Sequence, residues 1–349
     1  MTNAPSKNWN ETFTREEKDR VRLCGGLLTM ELELSRRCDL RCIYCYSEAG
    51  IPPDGELDFA EITGAVDQAV ALGARRVIVL GGGEPLLYPS LLDVLGHIRF
   101  KGAAVELFTN GVTMTASTAK ALRGLDVSVV LKCNSHRDDV QDVLAGKAGA
   151  GRAIRTARSI LAEAGYPGKG VTLGAQTVIC RQNLDELPEM WIGLRQQGVV
   201  PYFEAITLQG RALQHPELAV SAGEIQALFE ELSSIDRHRF GMVWEPRPPV
   251  AAYSCDRHEY SCTVTSTGNV QPCPGIDLAV GNIRDRSLKA ILRESPVIAD
   301  LRDIRHTVKG VCGACPEKAV CYGCRGMAWQ VTRDYLASDP LCAKVSLRS

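Results

Sequence analysis

Between residues 27 and 204 the chain alternates short strand-like runs with longer helix-like ones, and this alternation restricts the fold more than any other feature. Runs that are apolar throughout, or apolar at every second position, fall at 27–34, 77–80, 104–108, 127–131, 171–179 and 200–204. Between them lie segments with helical periodicity at 58–72, 90–98, 115–123, 152–164 and 184–197. Their ends carry the expected signals. Asp58 with Glu61 reads as a capping box and Thr115 as an N-cap, while Gly73, Gly165 and Gly198 act as stops. Further helices are expected at 15–23 and 222–232. Strand–helix alternation builds a parallel sheet with right-handed crossovers. Six units are two short of a closed eight-stranded barrel, so the expected α/β fold is a curved, partial (β/α)6 TIM-like barrel. Functional groups in such folds sit at the C-terminal strand ends. The 37–46 loop, the 81–85 loop, Asn110, Asn134 and Glu204 all fall there.

Fourteen cysteines are the second constraint. No apolar run is long enough to cross a bilayer, and residues 1–18 lack a secretory signal, so a cytoplasmic protein is expected. There, clustered cysteines point to metal rather than disulfides. A net charge of -1 leaves no electrostatic footprint for nucleic acid or an anionic membrane. Cys38, Cys42 and Cys45 form a Cys-x-x-x-Cys-x-x-Cys triple directly after the first strand. Three thiolates are one fewer than a closed [4Fe–4S] cluster takes, so a cluster here would keep one iron open for chemistry. Zinc or free thiols are the alternatives at this point. Eight more cysteines lie between 255 and 342, in a Gly- and Pro-rich segment with little periodic structure, which needs metal to hold it. Cys24, Cys133 and Cys180 stand apart and read as core or incidental residues. The expected organisation is an N-terminal extension (1–26), the barrel (27–215), a connecting region (216–249) ending in the Pro246-Arg247-Pro248-Pro249 break, and the Cys-rich domain (250–349).

The cysteine triple, the Gly82-Gly83-Glu84-Pro85 turn after the second strand and the distal cysteines together resemble the radical S-adenosylmethionine (SAM) superfamily with a C-terminal SPASM domain, over residues 27–345. The resemblance implies that Cys38, Cys42 and Cys45 hold a [4Fe–4S] cluster whose fourth iron takes SAM. Tyr44 would lie by the adenine, and the backbone of Gly82, Gly83, Glu84 and Pro85 would meet the SAM amine. Asn134 and Ser135, then Gln176 and Thr177, would contact the ribose. Arg155, with Arg152 and Arg181, is a candidate partner for the SAM carboxylate.

The resemblance further implies two auxiliary [4Fe–4S] clusters, one on Cys255, Cys262, Cys273 and Cys324, the other on Cys312, Cys315, Cys321 and Cys342. Zinc is the alternative at either. The last Cys-x-x-Cys gap, Cys321 to Cys324, is one residue shorter than the family pattern. The implied function is an oxygen-sensitive oxidoreductase, fed electrons by flavodoxin or ferredoxin. It would cleave SAM to a 5′-deoxyadenosyl radical and oxidise its substrate, with the auxiliary clusters as electron acceptors. Residues 1–26 leave no room for the peptide-recognition domain of many relatives, so a small-molecule biosynthetic intermediate is expected. A maturase of a peptide or protein side chain is the alternative. Pro274 stands where sulfatase maturases carry a basic Asp, against that subclass. A non-catalytic electron carrier would have no use for the Gly82–Pro85 loop. Glu204, Tyr202 and Asp277 are the catalytic candidates, with Gln209 and Arg211 as further cavity residues and His258 as a structural one.

Overall fold

The computed structural model describes residues 13–246 and 255–346. Most of the Pro246–Pro249 break, and the first part of the N-terminal extension, lie outside the described residues. Helix α1 (Arg15–Cys24) leads into β1 (Thr29–Ser35), α2 (Phe59–Ala71), β2 (Arg76–Gly82), α3 (Leu91–Phe100), β3 (Ala104–Thr109), α4 (Ala116–Gly124) and β4 (Val127–Lys132). Two helices, α5 (Asp138–Ala145) and α6 (Ala150–Glu163), precede β5 (Leu173–Ile179), which is followed by α7 (Leu187–Gln196), β6 (Val200–Ala205) and α8 (Ala222–Ile235). The first six strands pair in parallel in sequence order, as an open barrel requires. The Asp58–Glu61 capping box is formed in both directions, at 2.8 and 2.9 Å, a device that stabilises a helix start by about 1 kcal/mol.

Strand β1 shows why the alternation matters. Met30, Leu32 and Leu34 join the core packed under the helices. Glu31 and Glu33 are also buried, because their side of the sheet is the barrel interior rather than solvent. An amphipathic strand here means a greasy outer face and a charged inner one.

The sheet does not stop at β1. Three short strands, β7 (Ser261–Val264), β8 (Asn269–Gln271) and β9 (Gly281–Asn282), extend it to nine in the order β6-β5-β4-β3-β2-β1-β7-β8-β9. β7 pairs parallel with β1, while β8 and β9 complete an antiparallel meander. Helices α9 (Leu288–Glu294) and α10 (Pro296–Arg302) then lead to the distal cysteines.

Beyond α8 a single π turn (Asp236–Phe240) places Asp236 fully inside the protein. It accepts hydrogen bonds from Trp191 Nε1 (2.7 Å), Trp244 Nε1 (2.9 Å) and Arg195 Nη2 (2.7 Å). Removing one partner of such a buried ion pair strands the other charge. Asp236→Ala is therefore expected to cost about 3–5 kcal/mol of stability, read as a lower denaturant midpoint, whereas a surface change such as Asp54→Ala leaves the midpoint in place.

Candidate active site

Ser35 and Gly82 close their strands in register, so the loops that follow leave the sheet side by side. Gly83 N–H donates to Ser35 O and Glu84 N–H to Arg37 O, both at 2.8 Å. Tyr46 OH donates to Glu33 Oε1 (2.7 Å) and accepts from Gly82 N–H (3.2 Å), and the Ser47 hydroxyl donates to the Gly82 carbonyl. A Cβ on Gly83 would land on the backbone of Arg36 and Arg37, which cannot give way. Only glycine lets the turn lie this close to the cysteine loop.

The Glu84 side chain faces inward and ties this turn to the next strand. It accepts from Thr109 Oγ1 (2.5 Å), Asn110 N–H (2.7 Å) and Leu86 N–H (2.9 Å). Asn110 Nδ2 in turn donates to Asp39 Oδ1 at 2.9 Å inside the cysteine loop. Burial pushes the Glu84 carboxyl up to about 7 despite its three donors. An acid raised on folding keeps its proton in the native state over a pH range where the unfolded chain has lost it. Stability is thus highest below the unfolded value near 4.5 and falls as pH rises through about 7. Denaturant unfolding at pH 5 and pH 7.5 is expected to show this loss, and Glu84→Gln to flatten the slope.

The cysteine loop is clamped from two sides. Arg41 and Ile43 N–H groups donate to Ala145 O and Leu144 O at the end of α5, both at 3.1 Å. Arg211, expected to line the cavity, instead reaches back to Cys42 O (2.8 Å) and Ala49 O (3.1 Å), and its own N–H donates to Cys45 O (3.0 Å). Cys38, Cys42 and Cys45 are partly buried free thiols. Burial lifts Cys38 to about 12 and also raises Cys42, each further raised by its neighbouring thiol. Thiols this hard to ionise alone become thiolates when iron takes them, so the set suits a cluster.

A cavity of about 270 Å³ opens beside these loops. Tyr44, Tyr46 and Gly81 form one end, and Cys255, Cys273 and Cys324 the other. Lys132, Gln176, Tyr202 and Glu204 line the wall between. Lys132 is among the cavity residues that sequence reasoning missed, with Glu31, Tyr46, Arg76 and Arg257. Its ammonium lies 4.9 Å from the Tyr44 ring centre and 3.1 Å from Gln176 Oε1. Its surroundings pull in opposite directions: burial lowers its pKa, while Glu204, Cys42 and Cys45 raise it. The signal available was a lone lysine closing an apolar strand. Gln176 Nε2 donates to Glu204, whose carboxyl is raised by burial.

Other expected residues sit elsewhere. Asn134 is fully buried and committed to structure: its Nδ2 donates to Tyr44 OH (2.6 Å) and its Oδ1 accepts from Val178 N–H (3.0 Å). Ser135 Oγ donates to Glu186 Oε1 (2.6 Å), and Thr177 Oγ1 donates to the Cys133 carbonyl. These groups brace the Tyr44 side of the site rather than face the cavity. Arg155 pairs with Asp138 and Arg181 with Glu224, both exposed, and Arg152 is exposed as well. The carboxylate role expected of these arginines has no place in this geometry, because helix α6 turns its Ala150, Ile154, Ala157 and Leu161 face inward and carries Arg155 outside. Asp277 is exposed and held by Trp329 Nε1 at 2.6 Å, away from the cavity.

The distal thiols fall into two groups. Cys324 feels the charges of Cys255 and Cys273, and all three line the cavity. Cys321 and Cys342 feel Cys312, and Lys344 feels Cys315 and Cys342. Backbone N–H groups of Met327 and Asp339 donate to the sulfurs of Cys324 (3.3 Å) and Cys312 (3.4 Å), the kind of bond that steadies cluster thiolates. Among the described residues no three His, Cys, Asp or Glu side chains close on a single-ion site. Cys262 does not join either group. On β7 it pairs in register with Met30 and is fully buried in the apolar core, while its neighbour Thr263 turns to the barrel interior and donates to Glu31 Oε2 at 2.8 Å.

Among the described residues no helix is long and apolar enough to cross a membrane. Two family models match: the radical SAM superfamily over residues 32–190 and an iron–sulfur cluster-binding domain, SPASM, over 255–316. The chain is 32% identical to a PqqA peptide cyclase of Streptomyces rochei over 343 residues, covering 93% of this chain and 92% of the relative. It is 27% identical to an AdoMet-dependent heme synthase of Methanosarcina barkeri, covering 89% and 94%. Its fold resembles that of SuiB from Streptococcus suis bound to S-adenosylmethionine, with a TM-score of 0.72 at 16% identity, covering 94% of this chain and 81% of that one.

Proposed function

Since the chain belongs to the radical SAM superfamily and carries a SPASM iron–sulfur domain, we propose that it oxidises a small polar substrate held in the cavity between its two ends. One observation carries this reading. A single chamber joins the Tyr44–Gly81 end, beside the first cysteine loop, to the Cys255, Cys273 and Cys324 thiols.

When bound, the first cluster with SAM supplies a hydrogen-atom acceptor, and the C-terminal clusters supply a one-electron acceptor. The chain does the rest. Cys38, Cys42 and Cys45 hold the first cluster, and the Gly82–Pro85 turn presents backbone to the SAM amine. Lys132, at the end of β4, is the cation for the SAM carboxylate, a role expected of an arginine. Tyr44, buttressed by Asn134, holds its ring against Lys132. Glu204, whose carboxyl burial raises, takes the proton that the oxidised substrate releases, with Gln176 fixing its orientation. Arg257 and Arg76 also line the cavity, each paired with a carboxylate, Arg257 with Glu31 at 2.7 Å and Arg76 with Glu106 at 3.1 Å, so this part of the wall is polar and suits a polar substrate. Electrons arrive from a flavodoxin or ferredoxin.

A peptide substrate is the second reading, favoured by the 32% identity to a PqqA peptide cyclase. Anaerobically reconstituted protein, given dithionite and SAM, is expected to form 5′-deoxyadenosine and methionine. If it forms neither, the enzymatic reading fails. Repeating the assay with fractions of a fully deuterated cell extract separates the two substrates. Deuterium entering 5′-deoxyadenosine from the low-molecular-mass fraction supports the small molecule, and from the peptide fraction the second reading.

A further inference from the structure

The first C-terminal thiol group is one ligand short. Cys255, Cys273 and Cys324 line the cavity together, but Cys262, expected as the fourth, points to the far side of the sheet. It is paired by register with Met30 rather than Glu31, and it packs in the apolar core with Met30 and Leu32. The alternation of β7 enforces this: Ser261 and Thr263 face the interior, so Cys262 cannot.

A different donor occupies that wall. His258 lines the cavity with Cys255, Cys273 and Cys324, and the residue is buried, 5% exposed. Its Nδ1 lies 3.5 Å from Tyr322 OH, while its Nε2 has no hydrogen-bond partner among the described residues. An imidazole nitrogen buried without a partner is costly unless something binds it. Arg325 Nη2 is likewise buried on this wall without a hydrogen-bond partner among the described residues, but a guanidinium has only donors and cannot ligate iron. Arg257 pairs with Glu31 at 2.7 Å and approaches Tyr202 OH at 3.4 Å. Among the described residues Gln209 Oε1 is another unpartnered acceptor on the wall, but a carboxamide oxygen is a hard donor that cluster iron takes less readily than imidazole.

We propose that His258 Nε2 is the fourth ligand of the first C-terminal cluster, completing a three-thiolate, one-imidazole site with Cys255, Cys273 and Cys324, and that Cys262 serves only the core. The proposal rests on the two-cluster reading of the SPASM domain. Its chemical consequence follows from charge. Replacing a thiolate by a neutral imidazole leaves the cluster less negative and easier to reduce, as when histidines replace cysteines in Rieske centres. An electron acceptor facing the substrate chamber gains from that.

The test uses the full chain with Cys38, Cys42 and Cys45 changed to alanine, which removes the SAM cluster and its nitrogen ligand. This background is expected to hold about eight irons, four per cubane. Pulsed EPR after dithionite reduction should show a strongly coupled nitrogen, changed in its splitting by ¹⁵N-histidine labelling. His258→Ala and His258→Cys should both lose it. His258→Cys should keep the iron and lower the cluster midpoint potential, and Cys262→Ala should alter neither iron nor spectrum. The proposal is overturned if the background shows no such nitrogen, if the coupling survives in both His258 variants, or if Cys262→Ala loses about four irons. Iron near four or below in the background overturns the two-cluster reading itself, and the ligand with it.

Discussion

Replacing Cys38 with alanine removes about four irons from each anaerobically reconstituted chain and abolishes SAM cleavage, with 5′-deoxyadenosine falling by about 10³-fold or more. The effect is this large because the loop has no spare ligand. Cys42 and Cys45 are its only other thiols, and two thiolates do not retain a cubane that needs three. The side chains that clamp the loop are Arg211, which binds the Cys42 and Ala49 carbonyls, and Asn110, which binds the Asp39 side chain, and these bonds do not involve Cys38. The fold should therefore survive, so that far-ultraviolet circular dichroism and the remaining irons stay in place. Loss of all iron, rather than about a third of it, would mean that the three sites assemble as one, against the separation of the thiol groups in space.

The second large effect falls on Lys132. Lys132→Met keeps the length and burial of the side chain and removes its charge. If the ammonium holds the SAM carboxylate, the variant strands that carboxylate in a buried site, at a cost of about 3–5 kcal/mol, or roughly 10²–10⁴-fold in kcat/KM for SAM. Iron content should not change, since Lys132 hydrogen-bonds Gln176 rather than any thiol. Lys132→Arg is expected to recover part of the loss. A variant with intact SAM kinetics but impaired substrate oxidation would move Lys132 from the cofactor to the substrate.

The barrel was legible because its signals are long and redundant. Six strands alternate with helices that carry their own caps, and no single residue decides the outcome. What escaped is short. Helix α5 has eight residues and no side-chain N-cap. β7, β8 and β9 have four, three and two residues, too few for a period to show. The site divides the same way. The two loops after β1 and β2 announce themselves by residue type and spacing. The direction of a side chain does not. Arg155 follows directly on Ile154 of the buried stripe of α6, about 100° around the helix, so the stripe could have excluded it. Cys262 could not be placed that way. Its direction depends on the register of β7 against β1, and a one-residue slip would have turned it to the cavity.

The pairing of β7 with β1 also carries a consequence for how the chain is made. Glu31 meets Thr263 across a sequence separation of 232 residues. On the ribosome, at about 5–20 residues per second, β1 waits roughly 10–50 s for that neighbour. Until then one edge of the first strand, next to the loop that must receive iron, offers unpaired backbone to any passing strand. Chains released early, or cut between α8 and β7, keep that edge bare and are expected to aggregate. The C-terminal quarter thus does for the nascent barrel what a chaperone does for an exposed strand.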